Sequence, residues 1–217
     1  MAGMTDIENP AAPTERTAPT EPTDPTTPTD PTTPTDPTTP AEPNEPLAPA
    51  TGIHTTDGLP HGSTSLTPHL VVTPAEQALT FYRDVLGATV VDVTRFTAPD
   101  AAGSPVEIVA HAVLDFGAGQ LTLSDALGDY GLVAPDPSAG SSFSLALYRP
   151  DVDAVTARAE AAGATVREHP ATFVSGDRFA SILDPFGVRW SIMTRVLDLS
   201  PEESARRVAE WAATQSA

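Results

Sequence analysis

Apolar and polar positions alternate in short bursts over the last two-thirds of the chain, and almost nowhere in the first third. The clearest burst brackets Asp184-Pro185-Phe186-Gly187. Proline presets its own backbone angle and glycine accepts positive φ, so this tetrapeptide predicts a tight turn. Phe179, Ser181 and Leu183 alternate before it, and Val188, Trp190 and Ile192 after it. The pattern predicts a β-hairpin, Arg178 to Asp184 and Val188 to Thr194, with one face buried. Arg189, Ser191 and Met193 then point to the opposite face.

The other bursts fall into an order. Leu66 to Thr73 predicts a strand. Thr73-Pro74-Ala75-Glu76 predicts a helix start, with Thr73 as cap, Pro74 in the first helical position and Glu76 closing a capping box. Ala78, Leu79, Tyr82 and Leu86 form its apolar stripe, and Gly87 ends it. Thr89 to Phe96, Val106 to Phe116 and Gln120 to Ser124 predict three strands, with Pro99 to Pro105 as loop. After a Gly/Pro-rich connector, Ala126 to Ser141, the order returns. Phe143 to Tyr148 is a strand, Asp151 caps a helix ending at Gly163, and Thr165 to His169 precedes the hairpin. Gly87-Ala88-Thr89-Val90 and Gly163-Ala164-Thr165-Val166 are identical, 76 residues apart. A duplicated βαβββ unit accounts for this order. Ser200-Pro201-Glu202-Glu203 repeats the cap logic and starts a last helix through Trp211, expected on the domain surface or across a dimer.

Composition sets apart the remainder. From Pro19 to Pro49 a proline falls at every third position, which matches the three-residue turn of polyproline II. Such a segment buries too little apolar area to offset its ordering entropy, so an acidic, disordered, semi-stiff spacer is expected. Its threonines and prolines also suit phosphorylation or docking to a proline-reading domain. Residues 51–65, including His54 and His61, continue as linker. The domain plan is therefore 1–65 tail and linker, 66–195 folded domain (modules 66–125 and 142–195), and 196–217 C-terminal helix. Net charge is -18, which argues against nucleic acid or an anionic membrane as partner. The chain has no cysteine and no lysine, excluding thiol, disulfide and Schiff-base chemistry. No apolar run suits a secretory signal or a membrane span, so a soluble cytoplasmic protein is expected.

Phe81-Tyr82 in the first helix, Leu86-Gly87-Ala88 at its end and Asp184-Pro185-Phe186-Gly187 before the last strand resemble the glyoxalase/bleomycin resistance/dioxygenase superfamily (the vicinal oxygen chelate fold). The likeness covers Leu66 to about Arg195. Gly176-Asp177-Arg178, Arg189-Trp190 and the stretch Arg195 to Glu203 look like its PhnB-like branch. The resemblance implies an α+β fold in which two βαβββ modules form a curved, cup-like mixed sheet around a pocket. It also implies a homodimer. Metal-dependent members place four His, Glu or Gln ligands in that pocket. Carried over, those positions fall on Ser191, Ser144, Val113, and Thr67 or Pro68; a one-residue slip brings in His69. Hydroxyls, valine and proline are poor donors for a divalent ion, so no metal and no other cofactor is predicted.

Strand parity supplies candidate pocket residues. Val109, His111 and Asp115 share a face with Val113. Ala146 and Tyr148 share one with Ser144. His111 suits a general base or a hydrogen-bond anchor, or a purely structural pairing. Arg189 suits a carboxylate or phosphate, or a salt bridge to Asp184 or Asp177. The expected ligand-binding set is His111, Val113, Ser144, Tyr148, Arg189 and Ser191. Two readings follow. One is a metal-free protein that binds or sequesters a metabolite or drug. The other is a metal-dependent lyase, isomerase or oxygenase through a misaligned site that uses His69 and His111, or a metal-free enzyme that uses His111.

Overall fold

The computed structural model describes residues 48–99, 102–136 and 138–215. The expectations for the proline-rich tail up to residue 47 lie outside these residues. The described elements belong to the unit Pro49–Ala217. The segment read as linker contains a small hairpin, β1 (Thr55–Thr56) and β2 (Leu59–Pro60), turned by Asp57 and Gly58 at positive φ. His61 there is tied to the Thr56 hydroxyl and the Ile53 carbonyl.

The first module is β3 (His69–Val71), α1 (Ala75–Asp84), β4 (Thr89–Pro99), β5 (Pro105–Asp115) and β6 (Gln120–Ser124). The second is β7 (Leu145–Tyr148), α2 (Val152–Ala161), β8 (Thr165–Thr172), β9 (Asp177–Leu183) and β10 (Arg189–Arg195). A C-terminal helix, α3 (Pro201–Gln215), follows and runs past Trp211. The two four-stranded sheets have the same order, β3-β6-β5-β4 and β7-β10-β9-β8, each with its first and last strands parallel. The duplication inferred from the tetrapeptides is therefore a duplication of topology.

Those tetrapeptides do one physical job twice. Gly87 and Gly163 leave their helices at positive φ, and the amides of Ala88 and Ala164 reach back to the Tyr82 and Ala159 carbonyls. This satisfies helix-end carbonyls and aims the chain into the next strand. The helix starts differ from expectation. Asp151 caps α2 through the Ala154 amide, as predicted. Thr73 does not cap α1; its hydroxyl accepts from the Ala126 amide. The first amide of α1, on Ala75, instead donates to buried Asp125 at 2.9 Å. In the second module Thr194 does the same for Val152. At α3, Ser200 accepts from the Glu203 amide, but Glu203 spends its carboxylate on Arg206 and Arg207 and closes no box.

One parity is corrected. Pairing sets Leu183, Ser181 and Phe179 opposite Arg189, Ser191 and Met193. Ala180 and Ile182, not Phe179 and Leu183, therefore share the core side with Trp190 and Ile192. The apolar alternation misled because β9 carries apolar residues on both sides.

The core runs through both modules as one cluster. Tyr82 of α1 packs on Trp190 (5.4 Å between ring centroids) and Phe186 (6.2 Å). Asp184 is the polar centre of this seam. Its carboxylate accepts from the Phe186 and Val188 amides, the Trp190 indole and, across the modules, the Tyr82 hydroxyl at 2.8 Å. It is thus unavailable to Arg189. Arg149, after β7, donates to the carbonyls of Leu86, Gly87 and Phe116 and lies over the Phe116 ring.

Candidate functional site

The predicted site residues divide between the two sheets. On the first sheet, β6 lies between β3 and β5, and Thr122 pairs with His69 on one side and Val113 on the other. The His69 ring shares hydrogen bonds with the Thr122 hydroxyl (Nδ1, 2.9 Å) and the Ser124 hydroxyl (Nε2, 3.2 Å). His111 stacks parallel to it, with centroids 6.0 Å apart. Burial, and then the neighbouring His111, lower the His69 pKa, so its neutral form is favoured. Both rings are exposed. His111 and Asp115 do not orient one another; Asp115 accepts from the Gly117 amide.

On the second sheet Ser144 and Ser191 share a hydrogen bond of 3.1 Å. Arg189 donates through Nε to Ser181 and through Nη2 to Glu168, each at 3.1 Å. The expected salt bridge to Asp184 or Asp177 is thus replaced by one to Glu168. Asp177 pairs with Arg195 and accepts from the Tyr148 hydroxyl. No hydrogen bond or ring contact joins the His69–His111 group to the Ser144–Ser191–Arg189 group among the described residues.

The repeat also needs a correction in its first strands. Buried Leu70 corresponds to buried Leu147, an offset of 77 rather than 76. By pairing, His69 beside Thr122 corresponds to Ala146 beside Ser191. Thr67, not Pro68, is then the counterpart of Ser144. The one-residue slip arises because helix ends and first strands repeat at different spacings.

The donors at these positions are a poor chemical fit to a divalent metal. The carried-over positions offer three hydroxyls and a valine. His69 and His111 are brought together, as the slipped alternative requires. However, both His69 nitrogens are already hydrogen-bonded. Among the described residues no group of three or more His, Asp or Glu side chains converges. A stable site needs several nitrogen or oxygen donors around one point.

What the seam does provide is a crevice of about 310 Å³ beside the edge strand β7. Pro68, Phe116, Leu121, Leu145, Tyr148 and Trp190 line it, with the Gln120 side chain among the few polar groups. Of the predicted ligand-binding residues, only Tyr148 lines it. Phe116 and Leu121 were not legible as site residues. Their one signal is position, flanking the Gly117-Ala118-Gly119 turn that brings the first module against β7.

A family model described as "Glyoxalase/Bleomycin resistance protein/Dioxygenase superfamily" matches residues 64–192. Protein Rv0887c of Mycobacterium tuberculosis is 32% identical over 142 residues, covering 64% of this chain and 79% of that one. Protein Mb0911c of Mycobacterium bovis is 32% identical over the same length, covering 88% of its chain. Among solved structures, protein PA1353 from Pseudomonas aeruginosa superposes with a TM-score of 0.49 at 21% identity, covering 61% of this chain and 98% of that one. A PhnB protein from Bacillus cereus does so with a TM-score of 0.47 at 18% identity, covering 60% and 99%. With the doubled βαβββ topology and a family match over more than half its length, the chain belongs to the glyoxalase/bleomycin resistance protein/dioxygenase superfamily.

Proposed function

We propose that this chain binds or sequesters a small organic metabolite or drug without a divalent metal, acting as a cytoplasmic homodimer. The observation that carries this reading is the apolar crevice at the module seam. Its volume falls at the lower end of the range for small-molecule pockets, and its lining is apolar with a few polar groups, as such pockets usually are. Burying a planar apolar guest there gains roughly 25 cal/mol per Å² removed from water. The Tyr148 hydroxyl donates to Asp177 and the Gln120 amide to the Gly62 carbonyl, and each can orient a guest by accepting through its oxygen. The metal-dependent reading finds no third His, Asp or Glu donor beside His69 and His111 among the described residues.

Trp190 lines the crevice and gives a direct test. In a Trp211→Phe background it is the one remaining tryptophan. Titration with the neutral apolar fluorophore N-phenyl-1-naphthylamine is expected to quench it saturably, with energy transfer to the dye. Leu145→Arg, which places a charge in the lining, should abolish the effect while the fold persists by circular dichroism. Binding indifferent to Leu145→Arg would count against the crevice as the site.

A further inference from the structure

A second cavity, with a separate lining, lies at the start of β10. It measures about 170 Å³ and is bounded by Arg167, Arg189, Leu183 and the Ser138, Gly140 and Ser141 positions of the connector. Its lining is more polar than apolar, unlike the seam crevice, and its charge is distinctive. Every other described arginine donates to a carboxylate or to a carbonyl oxygen. Arg167 has no such partner among the described residues, and it lines this cavity.

The strand geometry explains its position. Pairing of β8 with β9 runs from Val166–Ile182 directly to Glu168–Ser181, so Arg167 is the extra residue of a bulge. A bulge re-aims side chains and releases one residue from the ladder. Here Glu168 lands opposite Ser181, where it reaches Arg189, and Arg167 is left beside the cavity.

We propose that this cavity binds a phosphate group, free or carried by a small molecule, with Arg167 and Arg189 as its two guanidinium donors. Guanidinium forks match tetrahedral oxyanions and pair with them bidentately. The hydroxyls of Ser138 and Ser141 are already spent on Asp136 and the Phe143 carbonyl, so the arginines carry the recognition. Glu168 holds one edge of Arg189, and this pair is half exposed and therefore weak. A monovalent carboxylate gains little by displacing another carboxylate from it. A phosphate dianion gains more, and it also meets the unpaired Arg167. The rest of a chain of net charge -18 repels anions, so saturable phosphate binding requires a local site of this kind.

The test is calorimetric titration of the full chain with inorganic phosphate, phenyl phosphate and acetate at 0.15 M salt. Saturable binding of a phosphate probe, at least tenfold tighter than acetate, is expected. Arg167→Ala should weaken it tenfold or more without a change in melting temperature, because Arg167 has no carboxylate or carbonyl partner among the described residues. Arg189→Gln should also weaken it, and Arg83→Ala, at a pair with Asp84 far along the chain, should not. Tighter binding of phenyl phosphate than inorganic phosphate would mark an organic phosphate as the natural ligand; equal binding would mark phosphate itself. Absence of saturable binding would overturn the proposal, as would equal loss in the Arg83→Ala control or indifference to Arg167→Ala. None of these outcomes bears on dye binding at the seam crevice, so the two readings fail separately.

Discussion

At the scale of single residues, the fold turns on Asp184. A buried carboxylate that receives four donors from a turn, an indole and the facing module orders all of them at once. Asp184→Asn replaces one oxygen by a donor facing the Tyr82 hydroxyl and the Trp190 indole. It should cost about 2–3 kcal/mol in urea unfolding, the usual penalty for leaving buried donors unmatched. Burial raises the Asp184 pKa above the ordinary carboxylate value, with its four hydrogen bonds pulling the other way. A raised folded-state pKa means that its contribution is fully present below the unfolded value and is lost as pH rises through the folded one. The stability of the natural chain relative to Asp184→Asn should therefore be flat below about pH 4, the ordinary aspartate value, and fall as pH rises above it, and a difference that grows with pH would contradict this. Gly176 is a second such point. It has positive φ, and a Cβ there would meet the Leu199 side chain at 3.0 Å and the Leu197 carbonyl at 3.2 Å. Gly176→Ala should lower stability by about 1–3 kcal/mol. The Gly176-Asp177-Arg178 motif thus has a structural account: close approach, then pairs to Arg195 and Asp153.

At the scale of elements, what was legible depended on range. The helices, their glycine ends and most strands follow from periodicity and short-range turn chemistry, and these appear where the sequence placed them. The partner that satisfies the start of α1 lies 50 residues away on Asp125, which no local pattern can announce. Asp125→Ala should strand the amides of Ala75 and Val109 and cost about 2–4 kcal/mol, whereas Thr73→Ala should cost less than half of that; chemical denaturation ranks the two. The orientation of β9 was likewise hidden, because Phe179 and Leu183 are as apolar as Ala180 and Ile182. The C-terminal helix docks through Trp211, edge-on to Phe173 at 4.9 Å, and through the Ser204 hydroxyl on the Ser175 carbonyl. Both partners lie in the turn between β8 and β9, so the helix buttresses that hairpin.

At the scale of the whole molecule, the site was legible only in part. That Ser144 and Ser191 lie together follows from the family resemblance. The crevice was not legible, because it arises where two modules meet and its lining comes from residues far apart along the chain. The described fold is tied to the preceding segment through the Gln120 side chain on the Gly62 carbonyl. Removing residues 1–47 should therefore leave the melting temperature within about 2 °C, since stability resides in the shared core.

The proposed function requires that this member of the superfamily hold an organic guest and no divalent ion. Native mass spectrometry of the full chain, as purified and without chelator, tests it most directly. The expected spectrum shows apoprotein or an organic adduct, unchanged after EDTA. One zinc, nickel, iron or manganese ion per chain, removed by EDTA and missing from His69→Ala and His111→Ala, would contradict it.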